Sequence, residues 1–290
     1  VEFIRARTLA EALAVKAAEP DALPIAGGTD VMVELNFDHR RPAALLDLGP
    51  VAELADWSLT DGRIRLGATV SYRRVIDELG DRLPGLAMAA RTVGSPQIRN
   101  RGTVGGNLGA SSPAGDTHPA LLAAGAEVEI ASVRGVRRVP VERFYTGVKR
   151  NVLAPDELIT AVHIPPASGP QQFSKVGTRN AMVIAVCAFA LALHPERRAV
   201  GTGIGSAAPT PVRARQAEEY LAAELAWDTG EPVPREVAAR FGELVASAAS
   251  PIDDVRGSAA YRRHALAVLA RRALGWAWRD YQRNEGGACA

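Results

Sequence analysis

The chain has 290 residues, 47% hydrophobic and 23% charged, which suits a globular protein with room for two domains of ordinary size and gives no sign of disorder. A formal net charge of +2 is too near balance to argue for a nucleic-acid or membrane partner. The cysteines, Cys187 and Cys289, are too few for a disulfide framework or for the set of ligands, mostly thiolates, that holds an iron–sulfur cluster.

Val1 to Ala10 carries no apolar run, so neither a signal peptide nor a spanning segment is expected, and the cytoplasm is the default location. Thr8 to Ala18 reads as a helix, with Leu9, Ala12, Leu13 and Lys16 at helical spacing and Thr8 as N-cap. Leu23 to Ala26 is a short strand ended by Gly27 and Gly28, and Val31 to Leu35 resumes after that turn. Ala44 to Leu48 is a further apolar run. Arg63 to Gly67 reads as a strand, Ser71 to Leu79 and Leu83 to Val93 as helices, and Ser95 to Arg101 as a polar loop. Gly102 to Gly115 is the most glycine-dense stretch. Pro119 to Ala124 reads as a short helix, and Glu127 to Val133 and Leu158 to Ile164 as strands.

The proline-rich break at Pro165 to Pro170 is the candidate domain boundary. Beyond it, Phe173 to Gly177, Val183 to His194 and Ala199 to Gly205 read as an antiparallel sheet. Ala214 to Leu225, Arg235 to Ser247 and Ala259 to Tyr281 read as helices. In the last of these, Arg262, Arg263, Arg271 and Arg272 read as solvated surface or a partner-docking face.

Two segments carry chemistry. One is Pro24, Ile25, Ala26, Gly27, Gly28, Thr29, Asp30 and Val31. The other is Thr103, Val104, Gly105, Gly106 and Asn107, running on to Asp116. Adjacent glycines let the backbone take positive φ and let a ligand approach without meeting a Cβ atom. Successive N–H groups can converge on an anion. Two such segments could hold a diphosphate, with Thr29, Thr103 and Asn107 adding hydrogen bonds and Asp116 accepting from a ribose or ribitol hydroxyl. Gly105→Val or Gly28→Val is then expected to lose the ligand while largely keeping the fold. No Gly-Lys-Ser/Thr is present to reach a γ-phosphate, which excludes a P-loop. Gly203-Ile204-Gly205 imitates a dinucleotide fingerprint, but Pro209 and Pro211 follow where a helix should start, so it reads as a strand-ending turn. No nucleophile–base pair, carboxylate pair or metal-ligand spacing among His39, His118, His163, His194 and His264 stands out. No catalytic residue and no metal site are assigned, as suits a protein whose chemistry belongs to a cofactor.

The stretches Ala26 to Asp30, Ser95 to Gly102, Thr103 to Asn107, Ser112 to Leu122 and Asp254 to Arg263 resemble, in order and spacing, the FAD-binding (medium) subunit of molybdenum hydroxylases of the xanthine dehydrogenase and carbon monoxide dehydrogenase type. The resemblance implies an α+β fold. Residues 1–170 would form a two-lobed FAD-binding domain of the vanillyl-alcohol oxidase and p-cresol methylhydroxylase type, with lobes 1–56 and 57–170. Residues 171–290 would form a C-terminal domain with a three-stranded antiparallel sheet and helices. It implies noncovalent FAD, with the diphosphate held by Pro24 to Val31 and Thr103 to Asn107. Asp116, Ile159 and Lys175 would be further contacts, and Ile184 would lie against the flavin ring.

The resemblance also implies partners: a large subunit with the molybdenum cofactor and a small one with [2Fe-2S] clusters. Electrons would leave to NAD or another acceptor, and this subunit alone would not hydroxylate a substrate. Overall resemblance favours a xanthine dehydrogenase complex. The alternatives are a carbon monoxide, aldehyde or N-heterocycle dehydrogenase, a stand-alone flavin oxidase and a non-redox nucleotide-binding protein.

Overall fold

A computed structural model describes the backbone of residues 1–288 and the side chains of residues 1–283; Cys289 lies outside the described residues. In chain order the elements are β1 (Glu2–Arg5), α1 (Leu9–Ala18), β2 (Leu23–Ile25), α2 (Val31–Asn36), β3 (Ala44–Asp47), β4 (Trp57–Thr60), β5 (Arg63–Gly67), α3 (Tyr72–Glu78), α4 (Pro84–Arg91), α5 (Pro96–Arg101), α6 (Val104–Ala110), α7 (Thr117–Ala124), β6 (Glu127–Ser132), β7 (Gly135–Pro140), β8 (Tyr145–Gly147), β9 (Arg150–Asn151), β10 (Leu158–Ile164), β11 (Gln171–Val176), β12 (Cys187–His194), β13 (Ala199–Gly205), α8 (Arg215–Glu224), α9 (Arg235–Ser247) and α10 (Ala259–Ala288). They fall into two compact units. The first comprises residues 1–78, 94–112 and 126–165, and the second residues 79–93, 113–125 and 166–290. Both are discontinuous in sequence, and the last crossing between them falls at the proline-rich break.

The first unit holds a parallel sheet of order β1-β3-β2 and an antiparallel sheet of order β4-β5-β10-β6-β7. Parallel neighbours need crossovers, and α1 and α2 supply them. α1 opens where the Thr8 hydroxyl accepts the Glu11 N–H at 3.1 Å, and its Ala12 joins Leu46, Val51, Leu54 and Leu158 in one cluster. β10 is buried along its whole length and carries an irregularity between Ile159 and Ala161.

The expected polar loop at Ser95 to Arg101 is instead a helix. Ser95 accepts the Ile98 N–H at 3.3 Å and Pro96 occupies the first turn, a start that cap chemistry favours. The glycine-dense stretch is helical over Val104–Ala110, closed by Ser111 in the left-handed conformation.

The second unit packs the antiparallel sheet β11-β12-β13 against helices. Phe189, Leu191 and Leu193 of β12 meet Phe241 of α9 and Leu266, Ala270, Ala273 and Ala277 of α10 in one core. α7 is buried at every residue. Gly203 lies within β13 and Gly205 ends it, with Ser206 in the left-handed conformation just beyond. A Cβ on Gly201 would sit 2.0 Å from the Ala123 carbonyl oxygen, and one on Gly203 2.0 Å from that of Pro119. These glycines let α7 lie directly on the sheet, which explains the false fingerprint. Arg262 is not surface. It is 3% exposed, donates to the Val186 carbonyl at 2.8 Å and pairs with Asp254, fastening the segment before α10 to the sheet.

Candidate functional site

The first unit brings the two glycine segments together. Gly27 lies against the end of α5, where a Cβ would meet the Arg101 carbonyl oxygen at 1.7 Å and the Gly102 nitrogen at 3.0 Å. The chain then passes through Gly102 into Thr103, whose hydroxyl caps α6 by accepting the Gly106 N–H at 2.9 Å. The two glycines of each pair differ in what surrounds them. Gly105 is buried, and its Cβ would collide with Ala68, 2.5 Å from the carbonyl oxygen and 2.7 Å from Cα. Gly106 is exposed. Gly28 has φ +73°, and its Cβ would meet only side chains, Ile25 at 3.4 Å and Met32 at 3.6 Å. Gly27 and Gly105 are therefore required by backbone packing, while the conformational freedom needed at a ligand belongs to Gly28. This corrects the expectation that Gly105→Val would spare the fold.

The rest of the first segment is accessible to a ligand. Pro24, Ile25, Ala26 and Thr29 are half-buried, Asp30 is exposed, and Val31 opens α2. In the second segment Val104 is buried and Asn107 half-buried. Ile159 of β10 is 8% exposed, and its Cδ1 would lie 3.9 Å from a Cβ on Gly109, so its side chain supports α6.

The second unit assembles Asp116, Lys175 and the segment bearing Ile184. Asp116 sits at the N-cap of α7 but makes no side-chain cap. Its Oδ2 accepts from the Lys175 Nζ at 2.6 Å and from the Thr92 hydroxyl at 3.2 Å. Both Asp116 and Lys175 side chains are 10% exposed. Asp116 Oδ1 is buried and has no hydrogen-bond partner among the described residues. Burial pushes this carboxyl's pKa upward, against the opposing pull of the Lys175 ammonium and its hydrogen bonds. A buried carboxylate oxygen without a donor is costly, so the geometry suits a ligand hydroxyl donated to Oδ1. Sugar or ribitol hydroxyls of a dinucleotide are such donors.

Ile184 is 52% exposed and Met182 54%. With Thr178, Arg179, Val183 and Arg256 they line an open cleft of about 430 Å³. Thr92, Arg179, Val183 and Arg256 were not legible as site residues. Thr92 lies at the end of α4, far from Lys175 in sequence, and only folding brings them together. The other signal was weak: Arg256 lies inside the Asp254 to Arg263 stretch already marked by resemblance. No helix among the described residues is long and apolar enough to cross a membrane.

Residues 1–167 match the family described as FAD binding domain in molybdopterin dehydrogenase. Residues 172–277 match the CO dehydrogenase flavoprotein C-terminal domain. The chain is 33% identical over 282 residues to the xanthine dehydrogenase FAD-binding subunit of Escherichia coli O157:H7, covering 94% of each chain. It is 34% identical over 244 residues to the nicotinate dehydrogenase FAD-subunit of Eubacterium barkeri, covering 79% of this chain and 82% of that one. Its fold matches a chain of the reconstituted CO dehydrogenase from Oligotropha carboxidovorans with a TM-score of 0.88 at 26% identity, covering 96% and 98% of the two chains. The glycine segments and the unpartnered Asp116 oxygen fit FAD, and with these matches the chain belongs to the family of FAD-binding subunits of molybdenum hydroxylases.

Proposed function

We propose that this chain is the electron-exit subunit of a multi-subunit molybdenum hydroxylase, holding FAD noncovalently. FAD, when bound, supplies a junction between one-electron carriers such as iron–sulfur clusters and a two-electron hydride acceptor. Pro24 to Val31 and Thr103 to Asn107 would hold the diphosphate, Gly28 by its positive φ and Gly106 by its open face. Asp116 would accept a ligand hydroxyl at Oδ1, with Lys175 keeping the carboxylate charged and oriented. Ile159 would support α6 from beneath. Ile184 would lie against the flavin ring and, through its size, set how closely an acceptor approaches. The two-lobed vanillyl-alcohol oxidase arrangement, with a boundary at residue 170, is the domain organisation this reading carries.

The molybdenum cofactor and [2Fe-2S] clusters would reside on a large and a small partner subunit, in the cytoplasm, and NAD is the proposed acceptor. Support for partner-borne clusters comes from the chain's own composition, since it has two cysteines and Cys187 is buried, with its thiol pushed up to about 12. Xanthine is the favoured substrate of the complex on overall resemblance. Relatives named for xanthine and for nicotinate stand at 33% and 34% identity, so co-purification of the large subunit is what identifies the substrate.

The observation that carries the electron-exit reading is the half-exposed Ile184 in an open cleft, beside the carboxylate–ammonium pair that suits FAD. The test is rapid anaerobic mixing of the assembled complex with substrate, followed by acceptor. Ile184→Ala should change the acceptor half-reaction and leave reduction by substrate within about twofold of the parent. A variant that slows the substrate half-reaction and spares the acceptor half-reaction contradicts the role.

A further inference from the structure

Lys175 uses its full donor capacity on three separate stretches of the second unit. Its Nζ donates to Asp116 Oδ2 at 2.6 Å, to the Thr92 carbonyl at 2.9 Å and to the Val183 carbonyl at 3.1 Å. Thr92 ends α4 and Asp116 begins α7, so both are also held by helices packed in the core. Val183 belongs to the segment 177–186 between β11 and β12, whose end at Ala185 and Val186 is buried and hydrogen-bonded to Ser206, Arg262 and Val176, whereas residues 178–184 are held far less. Arg179 donates to the carbonyls of Ala181 and Met182, which closes the segment on itself. Burial contributes little, because Thr178 to Met182 and Ile184 are exposed. Among the described residues, the hydrogen bond from Lys175 is the one that ties residues 178–184 to the body of the unit.

We propose that Lys175 is a positioning residue that couples FAD held at Asp116 to the placement of Ile184 through the carbonyl of Val183. The proposal rests on the reading that Asp116 holds FAD. A hydroxyl donated to the unpartnered Oδ1 stabilises the charged carboxylate and so strengthens its bond to the ammonium. An ammonium fixed against Asp116 keeps its remaining donors on Thr92 and Val183. Ligand at Asp116 then orders the segment that carries Ile184, and by reciprocity an ordered segment favours the ligand. Thr92 serves the other side of the node: its hydroxyl lies 2.8 Å from the Ala89 carbonyl oxygen and 3.2 Å from Asp116 Oδ2, so it supports the carboxylate without touching the segment.

The experiment uses the purified chain, stripped of FAD and titrated with it. Three quantities are read: the FAD dissociation constant, the rate of tryptic cleavage at the exposed Arg179, and the visible circular dichroism of bound flavin. In the parent, saturating FAD should slow cleavage at Arg179 about tenfold, the factor expected for one charge-assisted hydrogen bond. Lys175→Met should weaken FAD ~10- to 100-fold, cleave at Arg179 equally fast with and without saturating FAD, and give the flavin spectrum of Ile184→Ala. Lys175→Gln replaces it if the methionine variant does not fold, and is judged by the same three readouts. Thr92→Val should weaken FAD about threefold yet keep both the protection and the parent spectrum, which a general loosening of the unit would not do. Asp116→Asn separates the two ideas. If it binds FAD like the parent, the reading that Asp116 holds FAD fails. If it loses FAD affinity while the Lys175 variants at saturating FAD remain protected at Arg179, the coupling is wrong and the FAD reading stands. Equal cleavage of the parent with and without FAD also overturns the coupling.

Discussion

At the residue scale, glycines in the two glycine segments can have unrelated causes. Gly28 needs its positive φ of +73°, and an alanine there costs about 1–2 kcal/mol of left-handed strain. Gly105 needs the absence of a Cβ, because Ala68 occupies that space at 2.5 Å. Overpacking against backbone costs about 1–3 kcal/mol and often more, because backbone cannot rotate away. Gly28→Ala should therefore lower FAD affinity with a small loss of thermal midpoint. Gly105→Ala should lower the midpoint of the FAD-free chain several degrees further. Thermal unfolding of the two FAD-free variants side by side checks this, and equal midpoints would show that Gly105 is free of the packing described.

At the scale of elements, α7 depends on its neighbours rather than on its own amphipathicity. All of its residues are buried, so it has no solvent face to pattern, and its position follows from bare backbone on β13. Gly203→Ala places a methyl 2.0 Å from the Pro119 carbonyl oxygen and must push α7 off the sheet. A destabilisation of about 2–4 kcal/mol follows, read as a shift in denaturant midpoint. Because Asp116 begins α7, FAD affinity should fall in the same variant, although residue 203 contacts no ligand. Unchanged FAD affinity alongside a lowered midpoint would show that the start of α7 is set independently of its seat on the sheet. The expected strand Val183 to His194 is shorter in the structure: Cys187–His194 form β12, buried throughout, while Val183 to Val186 lie before it. β1, β4, β7, β8 and β9 carry no strand signal in the sequence, being short or largely exposed.

At the scale of the whole molecule, the buried histidine of α7 sets an acid limit. His118 is fully buried, and desolvation pushes its pKa from 6.5 down to about 3. A group whose folded pKa is depressed binds a proton more readily when unfolded. Its contribution to stability is thus complete above pH 6.5 and is lost as pH falls toward about 3. Denaturant midpoints should drop between pH 7 and pH 5, before most carboxylates titrate, and His118→Gln should flatten that slope. An unchanged slope in the variant would assign the acid sensitivity to other groups. Glu129 acts lower down. Despite the cost of its burial, hydrogen bonds from Arg65, His163 and Thr160 hold it near 2, so its contribution persists above the usual carboxylate range and is lost only as pH falls below it.

The sequence by itself determined that this is a mixed helix and sheet protein carrying two glycine segments, and that its family binds FAD. Those features are local: cap residues, alternation, glycine pairs and motif order are written in neighbouring positions. The tertiary structure decided which glycine of each pair is packed and which is open, since that depends on Arg101 and Ala68 arriving from elsewhere in the chain. It also decided that residues 79–93 and 113–125 join the second unit. That grouping places Thr92 and Asp116 around the Lys175 ammonium. A hydrogen-bonded node of this kind is fixed by where three distant stretches are packed, and the spacing of residues along the chain carries no record of it.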